Sequence, residues 1–430
     1  MLGINRKLVQ LENEGKYIRV GLVGAGQMGR GMVSQIESMK GMRVVALADI
    51  ALENVKHAYE TAGIASSDII ATNNVDEANE VIRDHKVVAT TEADLLTKID
   101  EIEVIVDATG IPDVGASVAS RAIVNKKHVV MLNVETDVTV GPILKKMADA
   151  ANVVYTGSAG DEPGAIMELY DFADAVGFEI VALGKGKNNK LNYDANPETA
   201  AEEARQKGAS PKMLASFQDG TKTMVEMTAV ANATGYIPDI AGMHGPSATV
   251  DELASLLIPK EDGGIFSRKK VVEYVNGVAP GVFAIITSEN EEVNHELQYL
   301  KLGDGPYYVL YRPYHLASLE TPLSIAKAYL DHTPTIAPWH GMVAESVAVA
   351  KKDLNEGESL DGIGGFTAYA KILVKEEARK QNALPIGLVD KNVVMKKSVK
   401  KGDIITYDAI TQTKRSTIWS LRELQDNWLS

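Results

Sequence analysis

The stretch Ile18-Arg-Val-Gly-Leu-Val-Gly-Ala-Gly-Gln-Met-Gly29 decides the fold. Ile18 to Val23 is a short apolar run with β-branched residues, which suits a strand buried on both faces. Gly24, Gly26 and Gly29 follow at G-x-G-x-x-G spacing. Met28, Met32, Val33, Ile36 and Met39 then recur at helical period, and Gly41 stands where a glycine would end that helix. A second apolar run, Met42 to Ala48, closes with Asp49.

The physics of this unit is specific. Gly24 allows the tight turn out of the strand, Gly26 lets the backbone approach a pyrophosphate, and Gly29 lets helix and strand pack closely. The first helical turn, with Gln27 and Met28, offers free N–H groups to an anion. Asp49 can accept hydrogen bonds from a ribose diol. Strand, glycines, helix, strand and acid occur in order, so the reading is a dinucleotide site for NAD or NADP. Asp49 would repel a 2′-phosphate and favours NAD, unless a cation such as Arg30 offsets it.

Composition sets limits. The chain has 430 residues, 45% of them hydrophobic and 24% charged, enough for two or three globular domains. Its net charge of −14 argues against nucleic acid or an anionic membrane as the main partner. It has no cysteine, which excludes disulfides, thiolate catalysis and thiolate zinc sites. Residues 1–16 lack the apolar core of a signal peptide, and no run is long enough to span a membrane. A cytoplasmic homo-oligomer acting on a small molecule is the expectation.

The alternation of strand and helix up to about residue 160 implies an α/β fold, a Rossmann doubly wound parallel sheet. Ligands bind such sheets beyond the carboxyl ends of the strands. Those ends carry Thr109, Gly110, Asn133 and Glu135. The expected division is a dinucleotide-binding domain over 1–160, an α+β substrate and oligomerisation domain over 161–382, and a small β-rich module over 383–430. Tyr369 to Gln381 reads as a helix, and the glycine-rich stretch 355–366 as a mobile loop or linker.

Four constellations can carry chemistry. Gly184-Lys-Gly-Lys-Asn-Asn189 follows a strand; Lys185 and Lys187 can reach a phosphate or carboxylate, and Asn188 and Asn189 can fix hydroxyls. Asp219, Lys222 and Glu226 fall on one face of a helix expected to begin at Asp219. There the two acids would orient Lys222 as proton donor to a carbonyl. Asp161 and Glu162 suit the start of a helix, and can also ligate a divalent cation. Arg312 and His315, just past a strand, can contact substrate.

Together with Val106 to Pro112, Asn133 to Glu135, Gly157 to Gly164 and Asp219-Gly-Thr-Lys222, these motifs resemble the deoxyxylulose-phosphate reductoisomerase-like proteins. That family is similar to homoserine dehydrogenase. Leu384 to Thr406 looks like the antifreeze-like, SAF-type module these proteins carry. The resemblance implies an NADPH-linked oxidoreductase, with reductoisomerisation of deoxyxylulose phosphate to methylerythritol phosphate, in isoprenoid biosynthesis, as one activity. A homoserine or semialdehyde dehydrogenase is a second reading, and a non-catalytic sensor of the nicotinamide pool a third. Asn133 is followed by Val134 and Glu135, where homoserine dehydrogenases usually have Asn-Lys.

Overall fold

The structure is a computed structural model and describes residues 3–429. The chain forms two compact units. One holds the described residues up to Asp161, then Leu316–Ala337 and the chain from Ser416 on; the other holds Glu162–His315 and Pro338–Arg415.

The first unit is built on seven strands: β1 (Ile18–Val23), β2 (Met42–Ala48), β3 (Ile69–Ala71), β4 (Val87–Thr90), β5 (Val104–Asp107), β6 (His128–Met131) and β7 (Tyr155–Gly157). Their order is β3-β4-β2-β1-β5-β6-β7, and every pairing is parallel. The chain reverses its direction of travel across the sheet between β1 and β5, which opens the crevice used by ligands in doubly wound folds. Ile18, Val20 and Leu22 are fully buried, as two-sided coverage requires. Met32, Val33 and Ile36 of the helix Gln27–Glu37 complete that core.

Two distant segments join this unit. The helix Ala317–Asp331 adds Ile325 and Ala326 to the same core. The terminal helix Thr417–Trp428 packs on the helices Pro112–Val124 and Val134–Ala151. The latter helix contains Pro142, which has no N–H to give. Next to it, Ile143 N donates to Gln425 Oε1 at 3.1 Å, and Gln425 Nε2 donates to the Thr139 carbonyl at 3.1 Å.

The second unit holds β8 (Glu179–Lys187), β9 (Val271–Asn276), β10 (Val282–Thr287) and β11 (Tyr307–Arg312), in the order β11-β10-β8-β9. Only β8 and β9 pair in parallel. The helices Glu162–Ala175 and Thr221–Thr234 pack against this sheet, and Leu253, Leu257, Phe266 and Phe283 build an apolar core with it. The unit also carries β12 (Ala344–Ala350), β13 (Ala368–Val374), β14 (Val393–Met395) and β15 (Ile410–Gln412), as the antiparallel pairs β12-β13 and β14-β15.

Three sequence expectations change here. Of the helix expected over Tyr369 to Gln381, only Lys375–Lys380 is helical; Ala368–Val374 is strand, with Ala368, Ala370 and Ile372 buried alternately with half-exposed Tyr369 and Lys371, a period of two. The stretch 383–430, expected as one small module, is divided between the two units. Its backbone bridges back to Val347, Val349, Leu354 and Ser359, and its last helix belongs to the first unit. The stretch 355–366 is clamped: Lys212 donates to the Asp361 carbonyl, and a side chain at Gly364 would meet the Lys212 carbonyl at 1.9 Å. Among the described residues no helix is long and apolar enough to cross a membrane.

Candidate active site

The glycines of the first unit divide their labour. Gly24 has φ +103°, and a Cβ there would lie 2.9 Å from the Ala108 carbonyl oxygen at the end of β5. A Cβ on Gly29 would come within 1.9 Å of the Gly24 oxygen, so strand and helix require glycine at that contact. A Cβ on Gly26 would meet nothing within 4 Å. The space before Gly26, exposed Gln27 and half-buried Met28 is open, and this is the cradle a pyrophosphate fits.

Asp49 sits at the end of β2, as a ribose ligand should. Its oxygens already accept from Ala25 N at 2.8 Å, Ala51 N at 3.0 Å and Asn54 Nδ2 at 3.1 Å. The carboxylate thus braces the glycine loop and keeps a charge beside it.

Thr109 and Gly110 follow β5 on the surface, with Gly110 at φ +64°. Asn133 does not join them as a side-chain ligand. It is fully buried, its Nδ2 donates to Asp107 Oδ2 at 2.9 Å and the Ile111 carbonyl at 3.0 Å, and its Oδ1 caps the next helix through Thr136 N. Burial, only partly offset by these bonds, raises Asp107 to about 6. Glu135 lies buried in the first turn of the same helix rather than on display at a strand end.

In the second unit β8 runs through the Gly-Lys-Gly-Lys motif, so these lysines are not on a turn. A Cβ at Gly184 would strike Phe283 at 2.3 Å, and one at Gly186 would strike the Ala279 backbone at 2.2 Å. The glycines therefore face the packed side of the sheet. Period-two alternation sends Lys185 and Lys187 to the other side, where both are buried.

Lys185 pairs with Glu162, the first residue of its helix, and with Glu226 on the helix Thr221–Thr234. Burial alone would lower its pKa, but the two carboxylates outweigh burial and hold it above the ordinary lysine value. Glu226 is itself pushed up, first by burial and then by the charge of Glu162. Carboxylate oxygens of Glu162 and Glu226 lie within 4.8 Å of one another, spacing that one cation can bridge. The Lys185 ammonium holds that place, so a divalent ion on these two acids would have to displace it. Asp161 is buried at the end of the first unit.

Lys187 donates to the Phe217 carbonyl at 2.7 Å. Burial, and then the like charge of Lys185, lowers it to about 8. His315 Nε2 stands 3.4 Å from Glu162 Oε1. Arg312 pairs with Glu168 at 3.0 Å and stacks over Tyr314, so it is tied to the helix Glu162–Ala175. Asn188 and Asn189 leave the strand and line a cavity of about 610 Å³ with Thr199 and Gln218.

Of the expected face of Asp219, Lys222 and Glu226, only Lys222 and Glu226 share a helix. Asp219 ends the preceding helix, Gly220 at φ +85° breaks the run, and the next helix starts at Thr221. Asp219 pairs with Lys351 at 2.7 Å, while Glu226 goes to Lys185. Lys222 is the one residue of Thr221–Thr234 that is not buried, and its charge still acts on Glu226.

Sequence reasoning missed Lys351 and Glu273. Glu273, fully buried on β9, accepts from His244 N at 2.9 Å and Gly245 N at 3.1 Å; burial raises it to about 7. An acid inside the apolar run Val271 to Val275 was a signal that could have exposed it.

Residues 160–321 match the family described as Oxidoreductase DRL, catalytic domain. No curated protein matches the chain. Among solved structures it is similar to a probable dehydrogenase from Thermotoga maritima, with TM-score 0.43 and 11% identity over 76% of this chain and 92% of that one. It is also similar to scyllo-inositol dehydrogenase from Lactobacillus casei, with TM-score 0.42 and 13% identity over 76% and 93%. The chain is an NAD(P)-dependent oxidoreductase, and the matched segment spans the lysines of β8 and the helix Thr221–Thr234.

Proposed function

We propose that the protein is an NAD(P)-dependent oxidoreductase acting on a small hydroxylated carbonyl compound, phosphorylated ones included. The bound nicotinamide supplies or accepts a hydride at the carbonyl carbon. Reduction leaves negative charge on the carbonyl oxygen, which needs a proton and a cation. The observation that carries the reading is the lysine pair on β8, whose environments drive their pKa values apart. Such a split assigns roles. Lys185, locked between Glu162 and Glu226, remains a fixed charge. Lys187, lowered to about 8, gives up or takes back a proton near neutral pH. Lys222, half-buried at the head of its helix, offers the cation for an oxyanion or an anionic substituent. Asn188 and Asn189 suit substrate hydroxyls.

Asp49 favours NAD over NADP. The motif resemblance noted in the sequence puts deoxyxylulose phosphate among the substrates to try, beside homoserine and semialdehydes. The test follows nicotinamide turnover across sugars, polyols, sugar phosphates and hydroxy acids, with wild type, Lys187→Met and Lys222→Met. Turnover lost in both variants, with nucleotide affinity intact, is the expected result. Nucleotide binding without turnover of any substrate would instead favour the sensor reading.

A further inference from the structure

We propose that Lys351 is a positioning residue for Lys222, acting through Asp219; this rests on the reading of Lys222 as the site cation. Lys351 follows β12 in a run, Ala-Val-Ala-Lys-Lys352, that reads as a surface turn. It is only 5% exposed. Three oxygens surround its Nζ: Asp219 Oδ2 at 2.7 Å, the Ala195 carbonyl at 2.6 Å and the Gly365 carbonyl at 2.8 Å. With three oxygens around it and 5% exposure, the ammonium has no open side for a substrate. Its position is therefore architectural, and what it holds matters.

Asp219 is fully buried, and its other oxygen accepts from Thr221 N at 2.8 Å. That N–H is the first of the helix carrying Lys222 as its second residue. Thr221 Oγ1 in turn accepts from Ala370 N of β13 at 2.9 Å. One ammonium thus fixes one carboxylate, which fixes the start of one helix, which aims one lysine. The chain after β8, through Ala195, and the glycine-rich loop, through Gly365, are tied to the same point.

Removing the Lys351 charge leaves Asp219 buried without a counter-charge, a state proteins relieve by shifting or protonating the acid. Either response loosens its grip on Thr221 N. A neutral Asn at 219 keeps an oxygen for Thr221 N and needs no counter-ion. The coupling therefore has a signature that lost packing lacks: the second substitution repairs the first.

The test uses the full chain with Lys351→Met, Asp219→Asn, their combination, and Lys222→Met. Lys351→Met is expected to lower kcat by about 10- to 100-fold, the scale of a misaligned catalytic group, with nucleotide affinity unchanged. Amide exchange over residues 220–224 should rise in the same variant. The double variant should return to within about threefold of wild type in kcat, since a buried pair replaced whole is often tolerated. Additive losses in the double variant, or unchanged exchange over 220–224 in Lys351→Met, would overturn the proposal. Full activity in Lys222→Met would sink the reading of Lys222 instead, and the exchange data would still judge the Lys351–Asp219 coupling.

Discussion

Lys185 and Lys187 lie two positions apart on one face of β8, yet their titrations are driven in opposite directions. The difference lies in what surrounds each ammonium. Two carboxylates pair with Lys185, while Lys187 is lowered by burial and then by the charge of Lys185, which Glu226 and Asp219 only partly offset. In carbonyl reduction the proton donor must be protonated, so kcat/KM for reduction should fall as pH rises through about 8. The reverse oxidation needs the free amine and should rise through the same pH. Profiles in both directions, for wild type and Lys187→Met, check this. A step near that pH surviving in Lys187→Met would assign it to another group.

The glycine loop separates folding from binding. Gly26→Ala puts a methyl into open space at a helix N-cap, a change worth about 0.5–1.5 kcal/mol in stability. It narrows the approach to a pyrophosphate, and nucleotide affinity should fall by roughly tenfold or more, about 1.4 kcal/mol. Gly29→Ala forces its Cβ to 1.9 Å from the Gly24 oxygen. That must shift the helix and should destabilise by about 2–4 kcal/mol, in the range of serious packing strain. Calorimetry paired with nucleotide titration distinguishes the two. Equal effects in both assays would count against the division of roles.

The first unit was legible because its signals are local. Glycines, apolar runs and caps between Ile18 and Asp49 each act within a few residues. Asp219 shows the limit. Its i, i+3 relation to Lys222 presumed an unbroken helix, and Gly220 at φ +85° broke it. The partner that explains Asp219 is Lys351, whose role depends on a contact far along the chain. The β8 lysines were found by their pattern but placed after the strand rather than in it, because the need for glycine at 184 and 186 comes from Phe283 and Ala279. Membership of the helix Ala317–Asp331 in the first unit was equally hidden, since no local rule reports which core an amphipathic helix joins.

Two buried acids of the first unit set an acid-side stability change. Burial raises Asp107 and Asp137 from 3.8 to about 6. Between those values the folded chain binds more protons than the unfolded one. Their contribution is therefore fully present below pH 3.8 and is lost as pH rises through about 6. Asp137→Asn keeps an acceptor for the Tyr155 hydroxyl, which donates to Asp137 Oδ1 at 2.9 Å. At neutral pH the variant should gain about 1–3 kcal/mol, since each tenfold change in proton affinity is worth ~1.4 kcal/mol. Denaturant midpoints at pH 4 and 7 test it; an equal effect at both would remove the linkage.

The terminal helix should matter to the stability of the nucleotide-binding unit. Pro142 leaves its helix one donor short, and the Gln425 carboxamide spans the next pair of backbone groups, accepting from Ile143 N and donating to the Thr139 carbonyl. Arg422 also donates to that carbonyl, at 3.3 Å. Gln425→Leu keeps most of the volume but leaves the buried Ile143 N–H without its partner, at about 1–3 kcal/mol where water cannot reach, while the Thr139 carbonyl keeps Arg422. Ile418 and Leu421 remain to hold the helix down, so the chain should still fold. We expect Gln425→Leu to lower stability by about 1–3 kcal/mol and nucleotide affinity only slightly. Truncation before Ser416 also exposes the apolar faces of Pro112–Val124 and Val134–Ala151, and should unfold the first unit at lower denaturant than the second. Nucleotide fluorescence as a probe of the first unit, beside Lys187 reactivity as a probe of the second, would resolve the two transitions. A truncated chain whose two probes still shift together, with unchanged midpoint, would mean that the helix contributes nothing to the unit it packs on.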